Sequence, residues 1–209
     1  MIKNIKLQKL HSKGFSHILI VVAIVVGVGV AGAYSLVASH ADSSRKNQRL
    51  AQKILEQANN GHIDFVSATG NAKFDQADAQ YGSTPRDNLR SAADGRQSNT
   101  TRNCDGRGGY AGSLTDTYID GRILLFIYRL SKEKNIAVTS IVGQCHDSST
   151  STHYKGNAVD LACRDAKGND VMSRSILKAA NDIGKKVGVK HNGENCKNAG
   201  HYHFSIHGE

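Results

Sequence analysis

The sequence predicts an α+β domain carried behind one transmembrane helix. Three observations predict it. An apolar run, 18–37, lies close to the N-terminus. Two stretches place apolar residues at helical spacing, 115–134 and 173–188. Between and after them come three short stretches with strand character, 136–142, 158–162 and 201–207.

The chain has 209 residues, enough for one domain of ordinary size with residues left over. A hydrophobic fraction of 39% supports a core, although Trp is absent. The net charge of +9 suits an anionic partner. Nucleic acid, anionic lipid and wall polymers all qualify, and charge alone does not choose among them.

Residues 1–17 carry Lys3, Lys6, Lys9 and Lys13 and no acid; the first acidic residue is Asp42. The run from Ile18 to Val37 matches the bilayer core of about 30 Å at about 1.5 Å per residue. It has no polar face, which argues against a buried soluble helix. Lysines on its N-terminal side place the N-terminus in the cytoplasm and the rest outside, as in a single-pass membrane protein. Ser39-His40-Ala41 offers a cleavage site after Ala41, which would release a secreted protein, but the span is longer than a usual signal sequence and favours an anchor. Lys13-Gly14-Phe15-Ser16 resembles a type IV prepilin leader. Leu19 stands where that pattern has Glu, which argues against pilus assembly.

Domain boundaries follow from composition. Residues 1–41 form the basic tail and anchor, 42–100 a helix and flexible spacer, and 101–209 the functional domain. Asp42 to Asn60 is a helix candidate, with Leu50, Ile54, Leu55 and Ala58 as a partial stripe and Gly61 as its end. Residues 61–113 are rich in Gly, Ser, Asn, Asp and Thr and read as a lead-in.

Thr115 to Lys134 is the clearest helix; Ile119, Ile123, Phe126, Ile127 and Leu130 form a core-facing stripe. Ile136 to Val142 reads as a strand by its β-branched content. Ser173 to Gly188 reads as a helix, capped by Ser173 and ended by Gly188. In the last strand His201, His203, Ser205 and His207 share one face, and Tyr202, Phe204 and Ile206 share the other. Buried imidazoles need partners, so the first face demands an explanation beyond packing.

The chain's most specific stretch runs from Ser151 to Asp160 and reads S-x-H-x-x-G-x-A-x-D. Ala158 to Ala162 reads as a buried strand that carries Asp160. Downstream comes His201-Tyr202-His203. Imidazole and carboxylate together suit a first-row metal, zinc by default. Two His and one Asp leave a fourth position open, as a catalytic zinc site requires.

With these motifs, the last half of the chain resembles the zinc D-Ala-D-Ala carboxypeptidases and the L-Ala-D-Glu and D,D-endopeptidases of bacterial walls and phage lysins. Their fold is shared with the signalling domain of Hedgehog proteins. The resemblance implies a small antiparallel sheet with flanking helices. It implies a Zn2+ cofactor held by His153, Asp160 and His203, and a peptidoglycan peptide as substrate rather than nucleic acid. His201 takes the position of the proton-handling group. The family's alternative, a carboxylate three residues before the last ligand, is absent because position 200 is Gly. Glu194 lies well upstream and acts only if its loop folds back. An Arg common after the preceding strand is also missing; Gln144 is the candidate donor there. Ser151 matches the family's Ser and is a candidate for binding the peptide. His146, in the same loop, either faces the cleft or is an exposed loop residue. The missing Arg keeps open a second reading, a wall-binding module that retains fold and metal without hydrolysis.

Four cysteines, Cys104, Cys145, Cys163 and Cys196, have no C-x-x-C spacing. Outside the membrane an even count reads as two disulfides, with three pairings open. A Cys145–Cys163 bridge would brace the motif it flanks. The anchor has a direct test: protease added to intact protoplasts is expected to remove the C-terminal domain. Full protection of that domain would defeat the assigned topology.

Overall fold

The computed structural model describes residues 44–66, 82–99, 116–143 and 150–206. Its sheet has five strands: β1 (Ile63–Phe65), β2 (Ile136–Ser140), β3 (Ala158–Ala162), β4 (Lys190–His191) and β5 (His201–Ser205). They lie in the order β1-β2-β3-β5-β4. The four described helices are α1 (44–59), α2 (Pro85–Ala93), α3 (Gly121–Glu133) and α4 (Arg174–Val187). The described part of Ser43–Glu209 forms one compact unit. The coarse α+β class is therefore observed.

The sheet is mixed, not purely antiparallel. β1 pairs parallel with β2, Ile63 opposite Ile136, while the other three pairings are antiparallel. A parallel pair needs a long crossover, and here α2 and α3 lie within it.

One face of the sheet is covered. Val138, Val159, Leu161 and Phe204 are fully buried there, with Ile123, Phe126, Ile127 and Leu130 of α3 and Ala180, Ile183 and Val187 of α4 in the same core. Phe126 and Phe204 meet with ring centroids 5.0 Å apart. Ala51 and Ile54 of α1, Ile63 of β1 and Leu89 of α2 complete this core. Much of the stretch expected to be a spacer is thus built into the fold. Three-residue β1 carries too little alternation to be read as a strand.

Three of the described helices begin where a cap dictates. Ser173 Oγ accepts from Ile176 N–H at the start of α4, and Gly188, with φ 79°, ends it. α3 starts at Gly121 rather than Thr115, because the Asp120 carboxylate accepts from Arg122 N–H. Thr117 is instead extended and bridges Ser98. Thr84 caps α2, with Pro85 at its first position.

The expected transmembrane span, 18–37, lies outside the described residues, as do Gln144, His146, His207, Cys104 and Cys145. Among the described residues no helix is long and apolar enough to cross a membrane.

Between β2 and β3 the chain makes a single 3-10 turn, His153–Lys155, closed by Gly156 at φ 71°. A Cβ at Gly156 would run into the Tyr118 carbonyl. The left-handed conformation alone costs a non-glycine residue about 1–2 kcal/mol. Gly156→Ala is therefore expected to lower unfolding stability by about 2 kcal/mol or more, read as a lower denaturation midpoint with an unchanged slope. An unchanged midpoint would refute this account of the turn.

Candidate metal centre

The second face of the sheet carries the polar cluster. Asp160 sits mid-way along β3, directly opposite His203 on β5, with Ala162 opposite His201. Period-two alternation sends these side chains to one face and Val159, Leu161 and Phe204 to the other. His153 arrives from the 3-10 turn. His153, Asp160 and His203 are 0%, 1% and 6% exposed.

Their polar atoms converge. His153 Nε2 lies 3.1 Å from Asp160 Oδ1 and 3.1 Å from His203 Nδ1. His203 Nδ1 lies 2.9 Å from Asp160 Oδ1. Tetrahedral zinc with bonds of about 2.0–2.1 Å holds its ligands about 3.3 Å apart. The triad is a few tenths of an ångström tighter and needs only slight opening to take an ion.

Neighbouring groups orient both rings. His153 Nδ1 is 2.8 Å from the Ile141 carbonyl oxygen, which only accepts, so Nδ1 carries a proton. Ser140 Oγ, 3.2 Å away, spends its own proton on the Gly143 carbonyl at 2.9 Å. In the neutral ring the lone pair then sits on Nε2, facing the cluster. His203 Nε2 is 3.3 Å from Thr152 Oγ1. Donation there leaves the Nδ1 lone pair facing the same point. Two nitrogen lone pairs and a carboxylate oxygen meet in one buried place, which calls for positive charge. This donor set fits a divalent metal ion.

Burial opposes the charge on Asp160. The charge and hydrogen bond of His153, the hydrogen bond of His203 and the charge of His201 outweigh it and hold the carboxyl well below the usual range. A protonated imidazole and a metal ion are alternative sources of the same positive charge.

Beside this group stands His201, its Nε2 2.7 Å from Glu194 Oε2 and 3.6 Å from Asp160 Oδ2. The loop before β5 does fold back and brings Glu194 to the centre. His191 Nε2–H donates to the Glu194 carbonyl at 2.6 Å. Cys196 is bonded to Cys163, three residues beyond Asp160. The Cys145–Cys163 expectation is thereby corrected. β3 runs alongside β5, so its end meets the loop that leads into β5. Given Cys163–Cys196, only Cys104 and Cys145 are left for a second bridge, and both lie outside the described residues.

Ser151 braces the turn: its Oγ accepts from His153 N–H at 3.4 Å. Ser140, the Ile141 carbonyl and Thr152 had no signal in the sequence. Ser140 reaches the cluster only through a register shift between β2 and β3, which sets it opposite Asp160. Glu194 had a signal in Cys196, two residues on, since a bond to Cys163 draws the loop beside the motif.

Compared with protein-family models, curated proteins and solved structures, the chain matches none.

The centre predicts a graded series. His203→Ala and Asp160→Ala are expected to lose bound metal. Thr152→Val, which removes one contact of the His203 ring and leaves the three ligand candidates in place, is expected to keep the stoichiometry and weaken affinity about 10–100-fold. Metal content of the dialysed proteins measures this. Full occupancy in Asp160→Ala would refute the ligand set.

Proposed function

We propose that the chain is a zinc peptidase acting on the peptide bonds of bacterial cell-wall peptidoglycan, with a Hedgehog/DD-peptidase-like fold and a membrane anchor at 18–37. One observation carries this reading: ligand atoms of His153, Asp160 and His203 converge in one buried place, and a His201–Glu194 pair stands beside them. A bound zinc ion would act as a Lewis acid and bring the pKa of a coordinated water to about 7.

The chain's own residues do the rest. His153 and His203 are held in one ring orientation by Ile141, Ser140 and Thr152. Asp160 supplies the negative charge that a neutral His pair lacks. His201 Nε2–H donates to Glu194 Oε2 at 2.7 Å. In this reading the pair takes the proton of the attacking water and delivers it to the leaving amine. Glu194 replaces the carboxylate that Gly200 cannot supply. Both side chains remain partly open to solvent, 21% for His201 and 44% for Glu194, so a substrate can reach them.

The rival reading, a metal-containing wall-binding module, draws on the absence of Arg from 139–144. Incubation of the full chain with purified peptidoglycan, with and without a chelator, separates the two. The expected result is release of wall peptides, abolished by the chelator, restored by zinc and identified by mass. His201→Ala is expected to retain zinc and lose turnover by about 10²–10⁴-fold. Metal-dependent binding without any new fragment would favour the rival, and neither binding nor cleavage would overturn both.

A further inference from the structure

The two oxygens of Asp160 face different neighbours. Oδ1 meets His153 Nε2 and His203 Nδ1. Oδ2 makes no hydrogen bond among the described residues, and its charged neighbour is His201 Nε2 at 3.6 Å. Glu194 Oε2 lies 2.7 Å from that same nitrogen. One imidazole nitrogen therefore stands between two carboxylate oxygens. Its single N–H is taken by Glu194, and ligand atoms of Asp160, Glu194 and His201 lie within 4.8 Å of one another. Two carboxylates converging on one imidazole attract positive charge.

We propose that Asp160 Oδ2, Glu194 and His201 Nε2 form a second divalent-cation site, joined to the first by Asp160 as a bridging carboxylate. The separations of 2.7 and 3.6 Å straddle the ligand spacing of about 3.3 Å set by zinc bonds. One imidazole and two carboxylates suit zinc, manganese or cobalt.

The site is also prebuilt. The His191 hydrogen bond fixes the Glu194 backbone on one side, and the Cys163–Cys196 bond fixes it on the other. Asn192 N–H donates to the His203 carbonyl at 3.2 Å and ties the loop's start to β5. The second ion faces solvent more than the first, so it binds more weakly and exchanges first.

A consequence rests on the proton-handling role proposed above for His201 and Glu194. An ion held on the His201 lone pair prevents that pair from carrying a proton. The second equivalent of metal therefore suppresses turnover that the first equivalent enables.

Equilibrium dialysis of the full chain against graded free zinc, with bound metal measured directly, tests the site without any substrate. The expected result is one tight equivalent followed by a weaker second. Glu194→Gln and His201→Asn are each expected to keep the first and weaken the second at least tenfold, with unchanged circular dichroism. Saturation of the parent protein at one equivalent overturns the second site and leaves the first intact. An unchanged second equivalent in both variants also overturns it. A folded variant that loses both equivalents assigns Glu194 or His201 to the first centre and sinks the proposal. No bound zinc in the parent protein strikes the first centre, and the proposed function falls with it. In parallel hydrolysis assays turnover is expected to rise with the first equivalent and fall with the second; a flat response across the second removes the inhibitory role.

Discussion

An ionised carboxylate in the middle of a sheet is the constraint on which this fold turns. β3 is a central strand, paired on both sides, and Val159 and Leu161 commit its other face to the core. Asp160 then has to point to the opposite face, where small Ala158 and Ala162 leave room around it. An unpaired buried carboxylate costs several kcal/mol. A proton or a metal ion shared with the cross-strand partner His203 and the turn residue His153 supplies the compensation. Register error is therefore heavily penalised. A one-residue slip of β5 would put Tyr202 or Phe204 opposite Asp160 and bury the carboxylate against an aromatic ring.

The His153 side of the centre is held from far away in sequence. Asn88, fully buried on α2, accepts from Val142 N–H at 3.0 Å and from Gly143 N–H at 3.3 Å. Its amide donates to the Asn99 carbonyl at 3.2 Å. This bond set fixes the chain just after β2. The Ile141 carbonyl and the Ser140 hydroxyl, which orient the His153 ring, lie within that fixed stretch. Residues 82–99 thus act on the centre through backbone geometry, without touching a ligand.

What the sequence made legible was what repeats or caps. Ala158 to Ala162, the Ser173–Gly188 helix and the two faces of 201–205 could each be read from periodicity, and the convergence of His153, Asp160 and His203 from a spaced motif. The three-residue β1 and the two-residue β4 carry no period, so neither could be read. The parallel pairing of β1 is a tertiary choice, made by the crossover rather than by any local residue. α2 hides in a polar stretch because half of its buried residues are polar, Asn88 and Ser91 beside Pro85 and Leu89. The β2–β3 register shift that turns Ser140 toward His153 is likewise invisible in a strand of β-branched residues.

Glu194 shows why a spaced motif misses part of a site. A carboxylate on β5 itself would have to sit near Gly200, and Gly200 has φ +74°. That conformation strains any side chain with a Cβ. It also lets the chain turn sharply into β5 while the Gly200 carbonyl accepts from Cys163 N–H at 3.2 Å. With glycine at the strand entry, the carboxylate that stands beside His201 comes from the loop. A free loop would spread Glu194 over many positions, at a cost in ordering entropy. The bond from Cys196 to the end of β3 and the His191 contact remove most of that freedom beforehand. The glycine turn, the disulfide and the position of Glu194 are thus one solution to one problem. It places a second carboxylate beside Asp160 without the backbone strain of building it into the strand.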